Sequence, residues 1–226
     1  MPIESQGVQI RRQSTAAGST AQTIAATIAF SAAATSITRS DLGSFVTDGF
    51  TSSMRVENNS TANSTRIHTI ASVAATVMTI YEAIVTQSTG ISITITGHAM
   101  EAIGTVTSWG GPNISCSKID ITSLASTSKE FIPSIRDSGD VTVEVVFDSN
   151  ATALHSAIRS DLETRTKRVY DVRLTDQSTN STSQPTAFYF DGYITSFGLS
   201  GSVDNIIKGS VTIAISSAVK TINKIT

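Results

Sequence analysis

The side chains able to do chemistry in this sequence are few and scattered. Three histidines, His68, His98 and His155, stand far apart, and none has a second His or Cys at ligand spacing, so no metal centre is expected. Glu82, Glu101 and Asp120 could serve as general acids, but each stands alone in its own element and reads as a solvated charge. Gly198-Leu-Ser200-Gly-Ser202 approaches a nucleophile elbow, in which a tight turn lifts a serine toward its base. Ser202 replaces the last glycine, and the segment reads as a loop before a strand. Gly110-Gly111-Pro112, beside Trp109, lacks the lysine and following helix of a phosphate cradle and reads as a turn. Trp109 is expected to pack or to meet another subunit. Asp137-Ser-Gly-Asp140 lacks the spaced ligands and distal glutamate of a calcium loop, and a hairpin-type turn is expected. No catalytic residue, cofactor or metal is expected.

The elements that would carry these residues are mainly β. Apolar residues make up 39% and charged residues 15% of the 226, with Ser and Thr dominating the rest, which excludes both a disordered and a membrane composition. β-Branched residues alternating with polar ones, as in Ser92 to Thr96, favour pleated, half-buried surfaces. A net charge of -2 and a pI of 5.9 exclude a broad basic face that grips nucleic acid. Cys116 is the only cysteine, so no intramolecular disulfide can form, and a buried, inert thiol is expected. Arg11-Arg12 ahead of an Ala-rich stretch imitates an export signal, but Ser, Thr, Gln and Gly interrupt its apolar run. The chain reads as cytosolic and unprocessed, with no membrane partner.

Three regions follow. Residues 1–23 form an edge strand or docking arm and a linker. Residues 24–97 alternate short apolar stretches, among them Ile28 to Phe30, Phe45 to Val46 and Ile91 to Ile95, with turns at Asp41-Leu-Gly, Thr47-Asp-Gly and Asn58-Asn-Ser, which predicts a small all-β module. From 98 to 226 the pattern is strand, helix, strand, hairpin. Val141, Val143, Val145 and Phe147 oppose Thr142 and Glu144 on one strand. Leu154, Ile158 and Leu162 then predict a helix near 150–166, capped by Ser149 or Asn150, with Arg165, Lys167 and Arg168 at its C-terminal end, where cations suit the helix dipole. His155 on that helix reads as a surface residue. After it, Tyr170 and Val172 alternate with Asp171 and Arg173.

The stretch from Asp120 to Asp148 combines Asp-Ile-Thr-Ser-Leu, Phe-Ile-Pro-Ser-Ile-Arg-Asp-Ser-Gly-Asp and the alternating Val-Thr-Val-Glu-Val-Val-Phe-Asp. It resembles the tail tube proteins of long-tailed bacteriophages, over roughly residues 1–15 and 100–226. The resemblance implies a β-sandwich with one flanking helix, interrupted by the inserted β module. It also implies hexameric rings whose inner sheets join into one barrel and stack into a tube for DNA ejection. Implied partners are further copies of the chain, tape-measure, tail-tip and tail-terminator proteins, and viral DNA that passes without specific binding. The implied location is the virion tail, assembled in the host cytoplasm. The alternative is a tube subunit of a bacterial secretion or contractile injection machine.

Two sets of site residues are expected on that basis. Leu124, Phe131, Ile132 and Pro133 place apolar groups in the otherwise polar loop from Ser123 to Ile135 and are candidates for contacts between stacked rings. Glu144, Asp171 and Asp191 lie on polar strand faces and are candidates for the channel lining. A Lys/Arg lining would hold DNA by releasing counterions, and acidic groups avoid that.

Overall fold

The computed structural model describes residues 7–14, 22–88, 92–147, 152–176, 184–202 and 206–225. Its strands are β1 (Gln9–Gln13), β2 (Gln22–Ser31), β3 (Ser36–Arg39), β4 (Arg55–Asn58), β5 (His68–Val73), β6 (Val77–Ile80), β7 (Ser92–His98), β8 (Met100–Ala102), β9 (Val106–Gly110), β10 (Ser115–Asp120), β11 (Phe131–Asp137) and β12 (Asp140–Val146). The helix α1 (Thr152–Thr164) follows, then β13 (Arg168–Arg173), β14 (Ala187–Ser200), β15 (Lys208–Ile215) and β16 (Lys220–Ile222). The protein is mainly β, with one helix among the described residues. The proposed helix caps Ser149 and Asn150, and Ile91, lie outside those residues.

The chain divides into two compact units: 1–105 with 168–190 and 220–226, and 106–167 with 191–219. In the first, β2-β3-β6-β5-β4-β7 close into a six-stranded barrel. Alternation sends Ala26, Ile28 and Phe30 of β2 and Ile93 and Ile95 of β7 inward, where they meet Ile37, Phe45, Phe50, Val56, Ile70 and Met78. Each fully buried Ile or Phe contributes roughly 1.5–3 kcal/mol, so the barrel has a core of its own. Closure also removes its strand edges. Phe45 sits in a turn, not in the strand expected of it, with its ring edge-on to Phe50 at 5.8 Å.

The first unit also holds the strands β8-β1-β13-β14, with β16 on β14 at Ala187 to Tyr189. β1 lies between β8 and β13, with Ile10 opposite Val172, so the N-terminal strand is internal where an edge was expected. Ile67, Val169, Ala187, Tyr189 and Ile222 form the cluster beneath.

In the second unit the sheet order is β14-β15-β12-β9, antiparallel throughout, with β14 entering from Asp191. Val141, Val143, Val145, Val211, Ile213 and Ile194 are buried on one face. Ile158 of α1 is fully buried, as its helical spacing requires. The helix stops at Thr164, and Arg165 takes a left-handed φ of 53° that turns the chain out of it. The expected cations therefore follow the helix and do not lie in its last turn.

Candidate assembly interface

The second unit's sheet has one covered face and one open one. Opposite the buried valines of β12, Asp140, Thr142 and Glu144 are exposed. Across the ladder Glu144 pairs with Ser210 of β15 and Ser108 of β9, and Thr142 with Thr212 and Gly110. The open face is therefore a field of hydroxyls and small residues. Glu144 is half exposed and 3.8 Å from Lys208 Nζ. Asp191 at the start of this face is partly covered, with Lys167 Nζ at 3.3 Å. β9 ends the strand order on this side, while β14 is paired in that order with both β13 and β15.

From that sheet a two-stranded ribbon departs. Gly110 pairs with Thr142 and Ser115 with Asp137, so β9/β12 and β10/β11 are successive lengths of one antiparallel ribbon in continuous register. Asp137-Ser-Gly-Asp140 is thus the passage from ribbon to sheet, not a hairpin turn. Two glycines fix the break between the lengths. Gly111 (φ 98°) and Gly139 (φ 65°) take left-handed conformations, and a Cβ would lie 2.3 Å from Asp140 O and 2.4 Å from Asn113 O respectively. Ser138 Oγ donates to Ser217 O at 2.9 Å and Ile215 N to Gly139 O at 3.0 Å, tying the passage to β15 and its exit.

Every residue of β10, and all but Ser134 of β11, is exposed. Leu124 at its tip is completely exposed and Ile135 nearly so, while Ile119, Phe131 and Ile132 are about half exposed. Phe131, Ile132 and Pro133 belong to β11, where a loop was expected. Pro133 stands beside the register shift opposite Lys118, where its missing N–H disturbs the ladder least. Cys116 is likewise exposed, which corrects the buried thiol expected of it. A two-stranded ribbon is marginal in water by itself, so apolar side chains on one call for a covering surface.

The first unit holds the charges that sequence spacing misread. Asp171, expected on a polar solvated face, has no exposure at all. Arg11 Nε donates to Asp171 Oδ1 at 2.8 Å, its Nη2 bonds Oδ2, and Arg55 Nε donates to Oδ2 at 2.9 Å. Burial pushes the Asp171 carboxyl up, but the arginine charges and their hydrogen bonds outweigh it and hold the pKa below the usual range. Arg55 also bonds Thr69 Oγ1 through Nη1. Glu82, expected to be solvated, is buried and accepts from Thr69 N and Thr69 Oγ1, both at 2.5 Å, and burial raises its pKa. Glu101 likewise accepts from Ser14 Oγ at 3.0 Å and lies 3.4 Å from Arg12 Nη1. Asp120 alone of the three carboxylates is exposed, accepting from Thr122 N.

The histidines remain apart. His68 is fully buried, and burial with nearby Arg66 lowers its pKa to about 4. His98 is buried with Glu57 at 3.7 Å. His155 is buried too, stacked on Phe147 at 4.4 Å between ring centroids, which corrects the surface position expected of it. Among the described residues no cluster of His, Cys, Asp and Glu could hold a metal. Gly198 and Ser200 lie in β14, and the serine is held in an extended strand rather than a nucleophile turn.

A search of curated protein sequences found no match. Among solved structures, the chain is similar to a component of the virion of a native gene transfer agent particle (16% identity, TM-score 0.44, covering 54% of this chain and 88% of that one). It is also similar to a component of the tail of an empty gene transfer agent particle with C6 symmetry (17% identity, TM-score 0.43, covering 53% and 84%). The family model of the lambda-like phage tail tube matches residues 82–225. That span exceeds half of the sequence, and the chain belongs to the lambda-like phage tail tube family, as a structural subunit of a virion tail that assembles with its own copies into a tube.

Proposed function

We propose that six copies close into a ring in which the open, hydroxyl-rich face of the second unit's sheet lines the DNA channel. The observation that carries this reading is that face itself, uncovered and polar over the valine core, on a sheet that ends at β9. Pairing β9 of one copy with the exposed end of β14 in the next gives β9 a partner and continues the sheet around the ring. The second unit holds 7 Lys/Arg and 10 Asp/Glu, so repulsion, not attraction, meets a passing duplex. Glu144 then faces the lumen, with Asp191 nearer its margin. Asp171 is not among the lining residues, because Arg11 and Arg55 enclose it.

In the same reading the β10–β11 ribbon carries the contact between successive rings, through Leu124, Phe131, Ile132 and Pro133. The barrel is an inserted module that folds around its own apolar residues. Its own core supports this. Deleting residues 24–97 and rejoining the chain with a short Gly/Ser linker should leave tube formation intact at lowered stability, because Asp171 keeps Arg11 but loses Arg55, and Ile67 leaves the cluster around Tyr189. Loss of all soluble folded protein would overturn that assignment. Tape-measure, tail-tip and tail-terminator proteins are the further partners, assembly takes place in the host cytoplasm, and no catalysis is involved. Electron microscopy and native mass measurement of the purified protein test the central claim. Rings of six that stack at high concentration support it; a monomer at every concentration overturns it.

A further inference from the structure

Resting on the stacking role of the ribbon, we infer that its receptor on a second copy of this chain is the groove between α1 and the end of β14. Arg159, Leu162 and Glu163 of α1 and Phe197 and Leu199 of β14 line that groove, which encloses about 330 Å³. Its floor continues the core face of the sheet. Ile194, Phe197 and Leu199 share one strand face, opposite Ile213, Val211 and Gly209. Ile194 is buried at the inner end, while Leu199 is 56% exposed at the outer one. The apolar layer under the helix therefore runs out into solvent, with room for an apolar side chain from outside.

The ribbon supplies such a side chain in Leu124, whose exposure is complete, and in Phe131. Charge matches as well. On the groove rim Arg159 Nε and Glu163 Oε1 pair with each other at 2.9 Å, both largely exposed. Beside Phe131 the ribbon carries exposed Lys129 and Glu130. Docking exchanges one solvated pair within a helix for two pairs between chains, Lys129 with Glu163 and Glu130 with Arg159. Knob and groove are different surfaces, so the contact is heterologous. Such a contact cannot saturate in a closed pair and passes from copy to copy, as a stack of rings requires.

Cysteine cross-linking tests this in a Cys116→Ser background. Leu124→Cys combined with Leu162→Cys, or with the more exposed Leu199→Cys, should give a ladder of covalent multimers from oxidised tubes, because a disulfide forms only where Cα atoms come within about 7 Å. Each single-cysteine variant should give no ladder. A second arm is Leu199→Glu, expected to leave rings intact but unstacked, with stacking restored by adding Leu124→Lys. Tubes that form normally while neither pair cross-links, or Leu199→Glu tubes of normal length, would overturn the groove as receptor and leave the ribbon's stacking role standing. Unimpaired tubes after deletion of the ribbon tip would instead remove that role itself.

Discussion

Arg55 of the barrel strand β4 donates from Nε to Asp171 Oδ2 of β13 at 2.9 Å, and neither side chain is more than 1% exposed. Arg11 bonds both carboxylate oxygens, so one buried anion serves two buried cations. Removing one member of such a group strands a charge where no water can reach it, at about 3–5 kcal/mol. Asp171→Ala is therefore expected to lower the urea-unfolding free energy by that amount, and Asp171→Lys to prevent soluble expression. Because the folded-state pKa lies below the ordinary 3.8, this contribution is present above pH 3.8 and disappears as pH falls through the folded value. A loss under 1 kcal/mol for Asp171→Ala would show that the cluster stabilises little.

His68 predicts a second acid dependence, with the opposite chemistry. Its folded pKa, about 4, lies below the ordinary 6.5, so the unfolded chain binds a proton that the folded one refuses. Stability is complete above pH 6.5 and declines as pH falls to about 4, by roughly 3 kcal/mol over that interval. His68→Gln is expected to flatten the decline in that window. An unchanged pH profile of unfolding in the variant would place the sensitivity elsewhere.

Phe131→Ala separates assembly from stability. Phe131 is 47% exposed and Lys118 Nζ lies 5.6 Å from its ring centroid, so the monomer's unfolding free energy should move by no more than about 0.5 kcal/mol. Tube length by electron microscopy should fall sharply. Normal tubes with a destabilised monomer would mean that Phe131 packs within its own subunit.

Glu144 tests the channel. Glu144→Lys places a second cation beside Lys208 on an exposed face, which the fold tolerates and passing DNA does not. Tubes of normal diameter are expected, with slowed DNA ejection that recovers as ionic strength rises, since each phosphate contact weakens with salt. Ejection at the normal rate from such tubes would show that Glu144 does not face the lumen.

The residues themselves determined the mainly β class and the one helix, but not the strand β11 or the turn that holds Phe45. Alternation of valines with Thr142 and Glu144 makes a half-buried strand wherever it occurs, and Leu154, Ile158 and Leu162 make one face of a helix, because both periods are local geometry. The Asp120–Asp148 pattern carried the tail tube likeness for the same reason. What alternation cannot report is what lies over each face of a strand. Asp171 alternates in β13 as Glu144 does in β12, yet Arg55 and Arg11 close over the one while the other stays half exposed. The same limit hid the burial of Glu82 and of His155 beneath Phe147, and the exposure of Cys116 and Phe131 on a ribbon that leaves the sheet. Burial is set by groups distant in sequence, such as Arg55 and Asp171 at a separation of 116 residues, and only the tertiary structure brings those together.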